Sequence, residues 1–319
     1  MKLIIQIPCY NEEASLPDVL KGLPKKLPGI DQIEVVVIDD GSQDQTASVA
    51  RALGVHYVVQ NKKNIGLAHS FRIGLDRALR EGADIVVNLD GDNQYCGAEI
   101  GRVIEPIIAG RADLVIGCRD IDNIPHFSPF KRLLQKLGTF VVSRLAHIGV
   151  GDATSGFRAF SRKAALQLNI LSNYTYTLES ILQVASKGIA LTCVPISVNA
   201  PVRPSRLMKN LWSYLVFSLA TMIRIFTMYN PLSVFLPLGL LVVLVGLSLV
   251  GRFMYFYFVG SGAGHVQSLV VAVSACLGGF TVILIGLIAD LIQFNRRMLE
   301  EVLERVRRLE LDWPPPNKK

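Results

Sequence analysis

The chain has 319 residues, with 33 Lys and Arg against 26 Asp and Glu for a net charge of +7; half of it is hydrophobic and only 18% is charged. A mean hydropathy of +0.38 is too apolar for an ordinary soluble enzyme. Five cysteines, odd in number and without a CxxC pair, argue against a disulfide framework or a zinc site and suit a reducing compartment.

The opening MKLIIQIPCYNEE has an apolar run too short for a signal peptide, and residues 3–7 read as a first strand. Further strands are predicted at 33–39 (IEVVVID), 55–59 (VHYVV), 83–90 (ADIVVNLD) and 112–117 (ADLVIG), and helical patterns at 12–22, 44–53, 66–81 and 97–109. Unbroken Val/Ile runs alternating with amphipathic helices predict an α/β domain over residues 1–205. Its sheet is parallel and covered on both faces, with ligands beyond the carboxyl ends of the strands.

Residues 206–230 mix Arg206, Lys209 and Arg224 with Leu, Trp212, Tyr214 and Phe. The pattern suits an amphipathic helix in a bilayer interface, or else a core-packing helix at the domain boundary. Over 231–292 two long apolar segments follow, each exceeding the roughly 20 residues that cross about 30 Å of hydrocarbon. Basic residues flank the pair (Arg224, Arg296, Arg297), whereas 260–265 holds no Lys or Arg, so the large domain and the C-terminal region are expected in the cytoplasm. Residues 293–319 form an amphipathic cytoplasmic helix and a proline-rich tail, either packed on the domain or a neighbouring subunit or solvated. Gly278, Gly279 and Gly286 would allow close helix packing, and a homo-oligomer, up to a tetramer, is expected.

The chemistry gathers at the strand ends. Asp90-Gly91-Asp92 ends the 83–90 strand, and two adjacent carboxylates repel unless a cation lies between them. Mg²⁺ or Mn²⁺ takes oxygen ligands and completes its shell from substrate phosphates; Asp90, Asp92 and Gln94 are the candidate ligands. Gly91 would leave room for an approaching ligand. The same tripeptide is also ordinary turn chemistry. Pro8, expected to halt sheet pairing, begins a second polar turn with Tyr10, Asn11 and Glu12, whose carboxylate can accept from ribose and base donors. Asp39 and Asp40 end the second strand, with Ser42 placed to cap the next helix. Asn64 and Gly66 precede a helix whose start can face a diphosphate.

Taken together, IPCYNEE, VIDDGSQDQT, NIGLAHSFRIGL, NLDGDNQ, IGCRD and DATSGFRAF, in this order, resemble the inverting glycosyltransferases of family 2. With two C-terminal spans the chain is similar to the polyprenyl-phosphate glycosyltransferases, which include dolichyl-phosphate mannose synthases and GtrB-like bactoprenol glucosyltransferases. The resemblance implies a GT-A domain followed by an interfacial helix and two transmembrane helices, placed at a cell membrane with the catalytic domain cytoplasmic. Its partners would be a nucleotide sugar, a polyprenyl phosphate and the membrane, and not nucleic acid, although charge alone leaves nucleic acid open. It assigns Asp90, Asp92 and Gln94 to metal and diphosphate, and Pro8, Tyr10, Glu12, Asp39 and Asp40 to the nucleotide. Asn11, Asn64, Gly66 and Gly91 are further donor-side candidates. Arg119, Ser128, Lys131 and Arg132, with Arg203 and Arg206, would capture the lipid phosphate. Asp152 is a catalytic-site candidate with no role as a base, since a phosphate monoester is already ionised near neutral pH. Asp152 or Glu179 would instead hold sugar hydroxyls or orient Arg158. Tyr174 and Tyr176 would wall the sugar pocket or pack. The expected activity is transfer of one hexose, glucose from UDP-glucose, to undecaprenyl phosphate. GDP-mannose is the alternative donor, and a non-catalytic membrane scaffold is the alternative class. A processive polysaccharide synthase is disfavoured because neither Trp212 nor Trp313 stands in a Gln-x-x-Arg-Trp motif.

Overall fold

A computed structural model describes residues 1–120, 129–146, 148–170, 176–199, 220, 223–224, 226–260 and 262–312. It divides into two compact units, Met1–Tyr214 with Val302–Lys319, and Leu215–Glu301. In the first, chain order is β1 (Lys2–Cys9), α1 (Leu16–Lys21), β2 (Gln32–Asp39), α2 (Thr46–Ala52), β3 (Tyr57–Gln60), α3 (Leu67–Arg80), β4 (Ile85–Asn88) and α4 (Ile100–Ile108). Then come β5 (Leu114–Arg119), α5 (Pro129–Ala146), β6 (Arg158–Ser161), α6 (Arg162–Gln167), α7 (Tyr176–Ser186) and β7 (Leu191–Ile196).

The strands lie in the order β3-β2-β1-β4-β6-β5-β7. All neighbours are parallel except β6, which runs antiparallel to both β4 and β5. The sheet is therefore mixed but mostly parallel, as a GT-A domain implies; its one antiparallel member is a four-residue strand too short to stand out in the sequence. β1 is buried from Leu3 onward because both of its faces are covered. On one face Leu3, Ile5 and Ile7 pack with Leu16, Val103 and Ile104; on the other Ile4 and Ile38 pack with Phe71, Leu75 and Tyr176. Pro8 does not end pairing: β1 continues to Cys9, with Pro8 opposite Ile38 and Cys9 opposite Asp39.

The second unit holds α8 (Leu232–Phe258), and α9 (Val266–Asp312) begins there, the two helices with mean hydropathies of 2.6 and 2.4 over their most apolar stretches. Either is long and apolar enough to cross a bilayer, and leucines such as Leu241 and Leu244 are left 59% and 62% exposed, as lipid-facing positions would be. Small residues seven apart on each helix let the pair approach closely. A Cβ added at Gly239 would lie 2.5 Å from Ile283, one at Gly246 2.5 Å from Cys276 Sγ, one at Gly279 2.8 Å from Gly239 O, and one at Gly286 2.7 Å from Phe235. Gly279 and Gly286 thus serve packing within one chain, and only Gly278 faces open space. The homo-oligomer expected from this trio needs another surface. Most of the expected interfacial helix at 206–230, including Arg206, Trp212 and Tyr214, lies outside the described residues.

The last turns of α9, from Val302, belong to the first unit and pack on α3 and α6, one of the three placements open from sequence. Leu311 joins the core cluster beneath α3. Arg307 donates to Leu168 O at 2.9 Å and stands 3.9 Å from Asp76, and Gln167 donates to Glu304 at 3.3 Å. Removing a cation bonded to a carbonyl costs about 1–2 kcal/mol. Arg307→Ala should therefore raise amide exchange over 302–312 by about tenfold, which hydrogen–deuterium exchange would read.

Candidate active site

The register sets the site. Cys9 lies opposite Asp39, so β1 and β2 end at one level, while Gln6 lies opposite Asn88, so β4 ends three residues short of it and 89–92 run on along the first loop at the same edge of the sheet. The loops after β1 and β2 are laced to each other. Asn11 N donates to Ser42 Oγ at 2.9 Å, and Gln43 N to Asn11 Oδ1 at 2.8 Å. Glu12 N donates to Thr46 Oγ1, and Gln45 N to Glu13. Ser42 therefore does not cap α2; it fixes Asn11, which is held at φ 54°, a conformation tolerated by asparagine.

Asp39 and Asp40 divide the work. Asp39 is fully buried: Oδ1 accepts from Ser42 N at 3.0 Å, while Oδ2 has no hydrogen-bond partner among the described residues. A buried carboxylate oxygen left open needs a donor from outside, which a nucleotide base or ribose supplies. Asp40 accepts from Asn61 Nδ2 at 2.9 Å, Ile65 N at 3.0 Å and Gly66 N at 2.9 Å. The residues expected to greet a diphosphate at the start of α3 are thus already bound to Asp40. Asn64 is exposed, its main chain against Gly41, where a Cβ would lie 2.7 Å from Asn64 N. Asp40, Asn64 and Gly66 thus shape the loop ahead of α3.

The DGD loop leans on the first loop. A Cβ at Gly91 would fall 2.7 Å from Cys9 Sγ and 3.3 Å from Pro8 O; glycine is needed for this packing. Ser15 Oγ donates to both Gly91 O at 2.8 Å and Glu12 Oε2 at 2.7 Å. Gln94 N donates to Asp92 Oδ1 at 3.2 Å, and Gln94 O accepts from Asn199 N at 2.8 Å. Asn93 is held at φ 59°. β6 completes the corner: Asn88 lies opposite Arg158 in antiparallel register, so Asp90, two residues on, meets Gly156, two residues before. A Cβ at Gly156 would lie 2.6 Å from Asp90 Oδ2. Gly156 is in turn fixed by its N–H to Tyr95 Oη and by its carbonyl, which accepts from Asn88 and Tyr176. Burial, and behind it the Asp92 charge, pushes Asp90 up to about 7.

Burial and the neighbouring carboxylate outweigh the opposing pull of Arg119 and Arg158, so a further cation at the pair would relieve it. Among the described residues no three His, Cys, Asp or Glu side chains form a metal cage. Two carboxylates suit an ion such as Mg²⁺, which takes its remaining oxygens from substrate phosphate and water. Asp90 and Asp92 fit that role; the Gln94 amide makes no hydrogen bond among the described residues.

Arg119, at the end of β5, forms a two-pronged pair with Asp152: Nε to Oδ2 at 2.6 Å and a terminal nitrogen to Oδ1 at 3.1 Å, with a further bond to Thr154 at 2.8 Å. Burial works to raise Asp152, but the Arg119 guanidinium outweighs it and holds the carboxyl below its usual range. Arg158 is oriented by neither Asp152 nor Glu179. Fully buried, it donates to the carbonyls of Ser155, Thr177 and Ala153 and to Ser180 Oγ. Glu179 is buried on α7 and accepts from Gln183 at 3.2 Å. Tyr176 packs, stacked on Phe71 at 4.0 Å, while Tyr174 lies outside the described residues.

On the acceptor side, Arg132 is partly buried on α5, the Lys131 side chain is not described, and Ser128, Arg203 and Arg206 lie outside the described residues. Next to Arg119 opens a cleft of about 380 Å³ lined by Asp120, Lys136, Thr139, Phe140 and Gly151. Phe140 and Leu137 stand 65% and 56% exposed on the same helix. Sequence reading missed Lys136 and Thr139, whose signal was a cation one turn beyond Arg132 on a helix carrying outward apolar residues.

A mixed α/β sheet with an acidic pair at one strand end, and a third acid held by an arginine across it, suits a glycosyltransferase of the GT-A fold. The family described as Glycosyl transferase family 2 matches residues 4–168, just over half of the chain, and the chain belongs to that family. Polyprenol monophosphomannose synthase of Mycolicibacterium smegmatis is 28% identical over 207 residues, covering 61% of this chain and 77% of the relative. Glycosyltransferase AglJ of Haloferax volcanii is 29% identical over 315 residues, 96% and 97% of the two chains, a likeness that takes in both long C-terminal helices. In fold, the chain is similar to glucosyl-3-phosphoglycerate synthase from Mycobacterium tuberculosis, solved with Mn²⁺, UDP and glucosyl-3-phosphoglycerate. Its TM-score is 0.54 at 20% identity, over 69% of this chain and 79% of that one.

Proposed function

We propose that the protein transfers one hexose from a nucleotide sugar to a polyprenyl phosphate at the cytoplasmic face of a cell membrane, with inversion and with Mg²⁺ or Mn²⁺. The observation that carries this reading is the corner in which Asp90, wedged against Gly156, stands beside Asp92, whose charge adds to burial against the opposing pull of Arg119 and Arg158. The bound cation would neutralise the leaving diphosphate. Asp39, with its open buried oxygen, accepts from the nucleoside, and the laced 11–13 and 42–46 loops keep that pocket rigid. The Arg119–Asp152 pair borders the cleft on α5, where the basic residues meet a lipid phosphate and exposed Leu137 and Phe140 meet its first isoprene units. A phosphate monoester attacks without deprotonation, so positioning and charge neutralisation suffice.

Glucose from UDP-glucose is the donor we favour. The name of the Mycolicibacterium relative supports mannose as a second reading. Full-length protein in detergent, given radiolabelled UDP-glucose, GDP-mannose and UDP-N-acetylglucosamine with undecaprenyl phosphate and either metal, should yield labelled lipid from one donor. No labelled lipid from any of them would sink the transferase reading in favour of a binding scaffold. Arg132→Ala should raise the KM for lipid phosphate about tenfold, the worth of one charge-assisted contact, and leave the KM for nucleotide sugar within about twofold. Equal effects on both would place Arg132 away from the acceptor.

A further inference from the structure

The last turns of α9 carry apolar residues that their docking on α3 and α6 leaves uncovered. Glu304, Arg307 and Leu311 share the docked face: Glu304 accepts from Gln167, Arg307 donates to Leu168 O, and Leu311 enters the core beneath α3. Leu299, Val302, Val306 and Leu309 follow at alternating steps of three and four residues and face away from it. Each is 42–69% exposed. In heptad terms Leu299 and Val306 stand at a, and Val302 and Leu309 at d. The register continues towards the start of the helix. Steps of seven back from Leu299 reach Ile292, Ile285 and Gly278, and from Val302 they reach Asn295, Ile288 and Thr281. The three isoleucines are exposed, and Gly278 is the member of its glycine trio that faces open space.

The residues beside this seam select its occupant. In a parallel pair each g residue meets the e residue of the partner's following heptad. Here Met298 at g would meet Leu303 at e, both exposed and apolar, and Arg305 at g would meet Glu310 at e, opposite in charge. A partner of identical sequence in identical register thus satisfies both rims. An anionic bilayer surface fits less well, because Glu301, Glu310 and Asp312 are mixed with Arg305 and Arg308, whereas surface-lying helices are rich in Lys and Arg alone. Glu310 also stands 3.6 Å from Arg80, and an exposed pair of that length holds the carboxylate only weakly. We propose that α9 pairs along this seam with α9 of a second copy of the chain, as a parallel two-stranded coiled coil with Arg305 of each against Glu310 of the other. Asn295, a polar residue at one core position, then faces its own copy and fixes the register. Two heptads alone are short for a coiled coil in water, but copies confined to one membrane meet at raised effective concentration. The pairing is independent of the transferase reading; its parallel sense rests on both long helices crossing the membrane in one orientation.

Val302→Cys and Glu301→Cys compare neighbouring exposed positions, one on the seam and one off it. Facing Cα atoms on helices about 10 Å apart, each about 2.3 Å from its axis, come within about 5–6 Å, inside the reach of a disulfide. Full-length protein in its membrane, treated briefly with copper phenanthroline and run without reductant, should give a dimer from Val302→Cys about tenfold faster than from Glu301→Cys. The native chain sets the background from its own five cysteines. Equal rates would mean random collision, and no dimer from either would mean that the seam lies against lipid or another protein; each result overturns the pairing. Charge tests the register. Two differently tagged Val302→Cys chains, one with Arg305→Glu and the other with Glu310→Arg, repel their own kind at both rims and attract each other at both. Co-expressed, they should link to each other about fivefold more often than to themselves, and random mixing would overturn the Arg305–Glu310 register. Sugar transfer enters neither readout, so a chain inactive with every donor would sink the transferase reading and leave the pairing to the cross-links.

Discussion

Asp92→Ala should lower sugar transfer by at least about a thousandfold, the scale of losing the electrostatic stabilisation of a leaving group. The fold should survive. In the loop Asp92 accepts from Gln94 N at 3.2 Å, worth about 1 kcal/mol, and its removal relieves the repulsion that raises Asp90. Melting temperature and circular dichroism should match the native protein within a few degrees, while Mn²⁺-dependent binding of nucleotide sugar by calorimetry disappears. Turnover within tenfold of native would mean that the acidic pair shapes a turn and holds no cation.

Gly156→Ala tests the same corner from the opposite strand. The new methyl carbon would sit 2.6 Å from Asp90 Oδ2 and 2.9 Å from Oδ1, far inside contact distance. The neighbour is a short side chain whose backbone is held in the sheet, so the carboxylate must swing or β6 must shift. Overpacking of this kind costs about 1–3 kcal/mol, and a shift of about 1 Å at a catalytic group costs about a hundredfold in rate. The expected result is a hundredfold fall in kcat with a drop of several degrees in melting temperature. Gly149→Ala, where an added carbon meets nothing within 4 Å, should do neither. A Gly156→Ala enzyme with native kcat would show that Asp90 is not held at its working position by this contact.

Much of this corner was legible before any coordinates. The β-branched runs of β1, β2 and β4 are buried on both sides, and such runs can hardly be anything but central strands, so the loops after them had to share an edge. The two apolar helices were equally plain from length alone. What stayed hidden was pairing. β6 spans only Arg158–Ser161, and nothing local in RAFS announces a strand lying antiparallel between β4 and β5. Without that register the contact of Gly156 with Asp90 has no signal. The packing of Gly91 and the bonds of Asp40 were hidden for a related reason. A glycine in an acidic turn looks the same whether it admits a ligand or a neighbouring loop, and a carboxylate at a strand end does not reveal that its oxygens are taken by backbone N–H groups 25 residues on. The expected orientation of Arg158 by Asp152 or Glu179 is replaced by carbonyls of two segments, because full burial leaves the guanidinium to satisfy its donors there.

The carboxylate of Asp40 at the threshold of α3 has one more consequence. The N–H groups of Ile65 and Gly66 are filled by the protein's own anion. Under the proposed function a sugar nucleotide would meet negative charge there, and its binding should rise with free divalent ion, which calorimetry at varied Mg²⁺ would read.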